Sequence, residues 1–194
     1  STRATASSTA GMSSDRPVPL LVLGLGNLLC GDDGLGAVAV HLLQRCYRVP
    51  DGVSVLDGGT LGLSLLPHLE EAHEAILVDA IRGEGPAGSF VRLEGDEVAP
   101  AVAGRLSVHQ VGVADLLEGA RWRERYPSRV ILLGLVPESL DLGLARTPAV
   151  EAALPELVER VVVEARELGH VFVPRSSDEM AARGSGDLSH VYGL

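Results

Sequence analysis

The sequence predicts an α/β fold, a three-layer α/β/α sandwich around a mostly parallel, mixed central sheet. Three observations lead there. Apolar runs such as "VPLLVLGL" (18–25) and "RVILLGLVP" (129–137) have the length and composition of strands buried on both faces. Segments with apolar residues at helical spacing, such as "LGAVAVHLLQRC" (35–46), stand between such runs. The stretch "GSFVRLEG" (88–95) alternates apolar and polar residues after a Gly/Pro turn, which marks a hairpin-like antiparallel strand at a sheet edge.

The remaining elements follow in order. "VSVLDG" (53–58) and "EAILVDAI" (74–81) read as strands, with a helix from Leu61 to Glu71 between them that Pro67 should kink. Ser107 is a good N-cap for a helix through "VHQVGVADLLEGA". Thr147-Pro148 opens a last helical region that ends near Gly169 and that Pro155 should kink or split. Residues 1–17 are rich in Ser, Thr, Ala and Gly without hydrophobic periodicity and read as a disordered leader. Residues 18–174 form one domain, and 175–194 read as a flexible tail.

Composition narrows the function. The 194 residues suffice for one domain with a substantial core. Aromatic residues are only 3% of the chain, so that core must be built from Leu, Val and Ala. A formal charge of −10 argues against nucleic acid or an anionic membrane surface as partner. No apolar run reaches the ~18 residues needed to span a bilayer, and no secretory signal is evident. With only Cys30 and Cys46 there is no disulfide framework, and the expected compartment is the cytoplasm.

The stretch "LVLGLGNLLCGDDGLG" (21–36) carries the first chemical signal. Gly24-Leu25-Gly26 starts like a dinucleotide fingerprint, but the third glycine would have to be residue 29, which is Leu. Asp32 and Asp33 also place negative charge where a pyrophosphate would sit. One of the two aspartates can cap the following helix, which leaves the other to point elsewhere. Asp79 and Asp57 each close an apolar strand at its carboxyl end, where α/β sheets place their working sites. His109 lies in the first turn of the Ser107-capped helix. Two carboxylates and an imidazole on one rim would make an oxygen/oxygen/nitrogen metal site.

Five ordered blocks resemble the hydrogenase maturation endopeptidases: "GLGNLLCGDDGLG" (24–36), "DGGTLGLSLL" (57–66), "AILVDAI" (75–81), "SVHQVGVADLL" (107–117) and "GLVPESLDLGL" (134–144). The resemblance implies a three-layer sandwich. It also implies an enzyme that removes a C-terminal peptide from the precursor of a [NiFe] hydrogenase large subunit after nickel insertion. Its metal-binding and catalytic residues fall on Asp33, Asp79 and His109. Nickel, resident or held by the precursor, is the implied metal, and zinc or another divalent ion could substitute. Asp57, Gly58 and Gly59 are expected to line the groove for the scissile segment, and Asp32 to cap the helix or support the site.

Alternatives remain on the same residues. A noncatalytic nickel-binding maturation chaperone would use the same ligands. A nucleotide-binding module is disfavoured by Leu29 and the paired aspartates. Peptidyl-tRNA hydrolases share a Gly-Leu-Gly-Asn turn, but theirs continues with Pro-Gly where Leu28-Leu29 stand here.

Overall fold

Strand β1 (Val18–Leu25) is an interior strand of the sheet, with side chains that are apolar on both faces and helices that cover both. The computed structural model describes residues 18–103 and 111–182. After β1 a 3₁₀ turn, Gly31–Gly34, leads into α1 (Leu35–Cys46), followed by the short β2 (Tyr47–Arg48) and then β3 (Val53–Gly59). Next come α2 (Leu66–Glu71), β4 (Ala72–Ala80), β5 (Phe90–Glu94), α3 (Val98–Ala103) and α4 (Val111–Trp122). The chain continues with β6 (Arg129–Leu135), α5 (Pro148–Glu167), β7 (Val173–Pro174) and α6 (Ser177–Ala182).

The main sheet has five strands in the order β3-β1-β4-β6-β5. All neighbours are parallel except β5, which runs antiparallel to β6 with Leu93 opposite Leu132. The sandwich follows from the period-two alternation of strand side chains. Leu20, Val22, Ile76, Val78, Ile131 and Leu133 face α1 and α5. Leu21, Leu23, Ala75, Leu77, Val130 and Leu132 face the opposite layer of α2, α3 and α4. The core is aliphatic, as the scarcity of aromatic residues requires.

Three expectations need adjusting. The edge strand at 90–94 is antiparallel but is no hairpin, because its partner β6 follows it by way of two helices and β4 does not touch it in the sheet. Pro155 neither kinks α5 into two helices nor ends it. It sits on the exposed face, where the carbonyl it leaves without a donor meets water, while Leu154, Leu157 and Val158 pack the other face. The helix expected from Leu61 begins as a 3₁₀ turn (Gly62–Leu65), and α2 starts with Pro67 in its first turn, where a missing N–H costs nothing.

The stretch read as a tail from residue 175 opens with hydrogen-bonded structure. Arg175 donates its N–H to the Cys46 carbonyl (2.8 Å) and its Nε–H to that of Tyr47 (3.0 Å). Ser176 and Glu179 then form a reciprocal cap on α6, each donating its N–H to the other's side chain. The signal was present in the sequence as Ser-x-x-Glu.

Candidate active site

The carboxyl ends of β1, β3 and β4 meet at one rim. The Gly26 N–H donates to the Gly59 carbonyl (3.1 Å), tying the end of β1 to that of β3. Gly26 has φ +111°, and a Cβ there would collide with the Asp33 carbonyl and lie 3.5 Å from the Asp79 carboxylate. Only glycine serves at this position, and it is the point that Asp33 and Asp79 both border. The two side chains are 3% and 1% exposed, buried acids at a strand-end rim. Asp33 Oδ2 accepts the Asn27 N–H (2.8 Å), and Asp79 Oδ1 accepts the N–H of Ala80 (2.8 Å).

Asp33, through its backbone carbonyl, and Asp79, through its carboxylate, thus both border Gly26. His109, the third member of the expected set, lies outside the described residues, as does the Ser107 cap. Among the described residues alone, no group of three or more His, Cys, Asp or Glu side chains is arranged to hold a metal.

Of the tasks expected of Asp32, helix capping is not one that it performs. Asp32 is fully buried. Its carboxylate accepts four hydrogen bonds from a segment more than a hundred residues away: the N–H groups of Glu138 (2.9 Å), Ser139 (3.2 Å) and Thr147 (2.7 Å), and the Thr147 hydroxyl (2.9 Å). Burial alone would push its carboxyl up, but these donors outweigh burial and hold it below the ordinary aspartate range. Gly31 donates to the Gly143 carbonyl and Gly143 to that of Leu29, so the first loop and segment 136–147 form one unit. Thr147 stands at the N-cap position of α5 but makes no side-chain cap hydrogen bond, and its hydroxyl donates to Asp32 instead.

The glycines of the first block serve packing. A Cβ on Gly36 would strike the carbonyls of Leu25 and Val78, and one on Gly24 would strike the carbonyl of Gly36. The close helix–strand approach that a dinucleotide motif assigns to its third glycine is made here by Gly36, leaving Leu29 free to face solvent.

Beside the carboxylates runs a groove of about 490 Å³. Gly26, Asn27, Leu28 and Leu29 line one part of it, Asp57 to Leu61 another, and Leu144 with Arg146 a third. The structure therefore places Asp57, Gly58 and Gly59 at the groove. Asp57 Oδ1 accepts the Gly59 N–H (2.9 Å), and its Oδ2 lies 3.0 Å from His41 Nε2 on α1. His41 carried no assignment in the sequence, since pairing across sixteen residues between a helix and a strand end leaves no local pattern. Gly58 is fitted too tightly for a side chain: a Cβ would lie 2.8 Å from Leu23 Cδ1 and 2.9 Å from Leu65 Cδ1. Gly58→Ala is expected to cost about 1–3 kcal/mol, read as a lowered urea midpoint.

Four groove residues were missed. Leu29, Leu61 and Leu144 are exposed yet gather around one groove, and Arg146 joins them from the stapled segment. Cys30 offers no ready nucleophile, since burial, and after it the Asp33 charge, pushes its thiol up.

The described residues thus form a mostly parallel α/β sandwich with two buried carboxylates at one rim of the sheet, beside a largely apolar groove. Comparison with known proteins identifies the class. The family model described as HycI, hydrogenase maturation protease, matches residues 38–164. The hydrogenase 2 maturation protease of Escherichia coli is 37% identical over 159 residues, covering 81% of this chain and 97% of that protein. The hydrogenase expression/formation protein HoxM of Azotobacter vinelandii is 36% identical over 196 residues, covering 89% and 94%. The solved structure of the E. coli hydrogenase maturating endopeptidase HybD superposes with a TM-score of 0.77 at 37% identity, over 81% of this chain and 98% of that one. The chain belongs to the hydrogenase maturation protease family.

Proposed function

We propose that this chain is a cytoplasmic endopeptidase that removes the C-terminal extension of a [NiFe] hydrogenase large-subunit precursor once the precursor holds nickel. The observation that carries this reading is the pair of buried carboxylates, Asp33 and Asp79, bordering Gly26 where it enters the groove. The names of the relatives support the substrate.

Nickel here is part of the substrate. Two carboxylates with the His109 imidazole form a donor set that suits nickel and that zinc or another divalent ion could also occupy. A cation held there supplies Lewis-acid polarisation of the scissile carbonyl and a bound water whose pKa falls toward about 7. The chain's own contribution is placement. The Asn27 N–H fixes Asp33, the strand end fixes Asp79, and the Asp32 staple holds the loop that carries Asp33. Asp57, Gly58 and Gly59 support the segment to be cut, which enters the groove extended.

The test presents nickel-loaded and empty precursor to the purified chain and follows precursor mass. Only the loaded form is expected to shorten. Equal cleavage of both would remove the nickel dependence. Unchanged mass in both, with binding retained, would instead make the protein a noncatalytic nickel-binding chaperone.

A further inference from the structure

Among the described residues, Arg146 is the one cationic residue that lines the groove, whose lining also includes the acidic Asp57. Its side chain is 16% exposed, far less than that of its partner Glu151 at 58%. The pairing uses a single contact, Arg146 Nε to Glu151 Oε2 at 2.7 Å. Among the described residues the Nη1 and Nη2 groups have no partner, and these two form the planar fork that matches a carboxylate. Leu144 lines the same groove two residues away, and Leu28, Leu29 and Leu61 supply the rest of its apolar lining. The Asp32 staple fixes Thr147, the next residue in the chain, so the guanidinium springs from a rigid support.

We propose that Arg146 is the specificity-determining residue of the groove, binding a carboxylate of the precursor while Leu28, Leu29, Leu61 and Leu144 hold an adjacent apolar side chain. This rests on the function proposed above for its occupant, a segment of the precursor flanking the cleaved bond. An open groove lined by the end of an edge strand suits an extended peptide. Charge complementarity selects an acidic one, either a side-chain carboxylate or the carboxylate at the precursor's C-terminus.

The experiment measures equilibrium binding and cleavage of nickel-loaded precursor by the wild-type chain, Arg146→Gln and Arg146→Lys. Arg146→Gln is expected to weaken binding and raise KM by about 10- to 100-fold while kcat stays within about twofold. Lysine, a point charge without the fork, should recover part of that loss. On the precursor side, each Asp or Glu near the cleaved bond is changed to its amide, and in a separate arm the C-terminus is amidated. One of these changes should reproduce the loss with the wild-type chain and add nothing further with Arg146→Gln. Unchanged affinity in Arg146→Gln, or precursor variants that all bind like the parent, would overturn the proposal. The precursor arm decides the matter even if a substitution at Arg146 disturbs folding. Binding separates the two readings: a chain that binds but does not cut fails as a protease, while its Arg146 dependence is still read from affinity.

Discussion

Asp33→Asn and Asp79→Asn are each expected to leave a folded chain whose processing of the precursor falls by about 10²–10⁴-fold. Asparagine keeps the shape of the side chain and one acceptor oxygen. The Asn27 N–H at residue 33 and the Ala80 N–H at residue 79 can therefore retain their partner. What is lost is the negative charge, and with it the ability to bind a cation or accept a proton. Melting temperatures are expected to stay within about 3 °C of the parent, equivalent to roughly 1 kcal/mol for a chain of this size. Processing at the parental rate in both variants would remove these carboxylates from the chemistry.

Asp32→Ala is expected to act on stability. It withdraws one buried acceptor from four donors at once, in the segment that carries Glu138, Ser139 and Thr147. Buried donors left without partners make the loss about 3 kcal/mol or more, or roughly 6–12 °C in melting temperature. Activity should fall with it, because the loop bearing Asp33 and the segment bearing Arg146 are joined through this carboxylate. The pH dependence has a definite sign. Folding holds the Asp32 carboxyl below the unfolded value of about 3.9, so its stabilisation is fully present above that pH. It disappears as the pH falls through the lower folded value. The stability gap between parent and Asp32→Ala should therefore be constant near neutrality and close below about pH 4, as followed by urea denaturation at several pH values. A gap that widened in acid would contradict the staple.

Much of the architecture was legible because it depends on local pattern. Continuous apolar runs marked β1, β4 and β6, and helical spacing marked α1, since the two core layers impose those periods directly on the chain. Asp33 and Asp79 were legible for a related reason: a charge that ends or follows a buried strand has few places to go except the rim. The partner of β5 was not legible, because alternation shows that a strand has one polar face but not which neighbour it pairs with.

The contacts that were missed are long-range. Asp32 looked like a helix cap because its neighbours suggested one, and only the fold brings Thr147 to it. The position of Arg146 in the groove depends on a segment whose backbone is held by residues far away in sequence. The rejection of a dinucleotide loop on account of Leu29 agrees with the fold in an unexpected way. The tight helix contact does exist, but at Gly36, while Leu29 helps to form the groove.

The function proposed above requires Asp33, Asp79 and His109 to gather around one cation at the end of the groove. Anomalous diffraction from crystals of this chain equilibrated with nickel or zinc tests it most directly. One strong peak is expected within coordination distance of all three side chains, lost in Asp79→Asn crystals. A fully occupied ion elsewhere, or three side chains too far apart to share one, would contradict it.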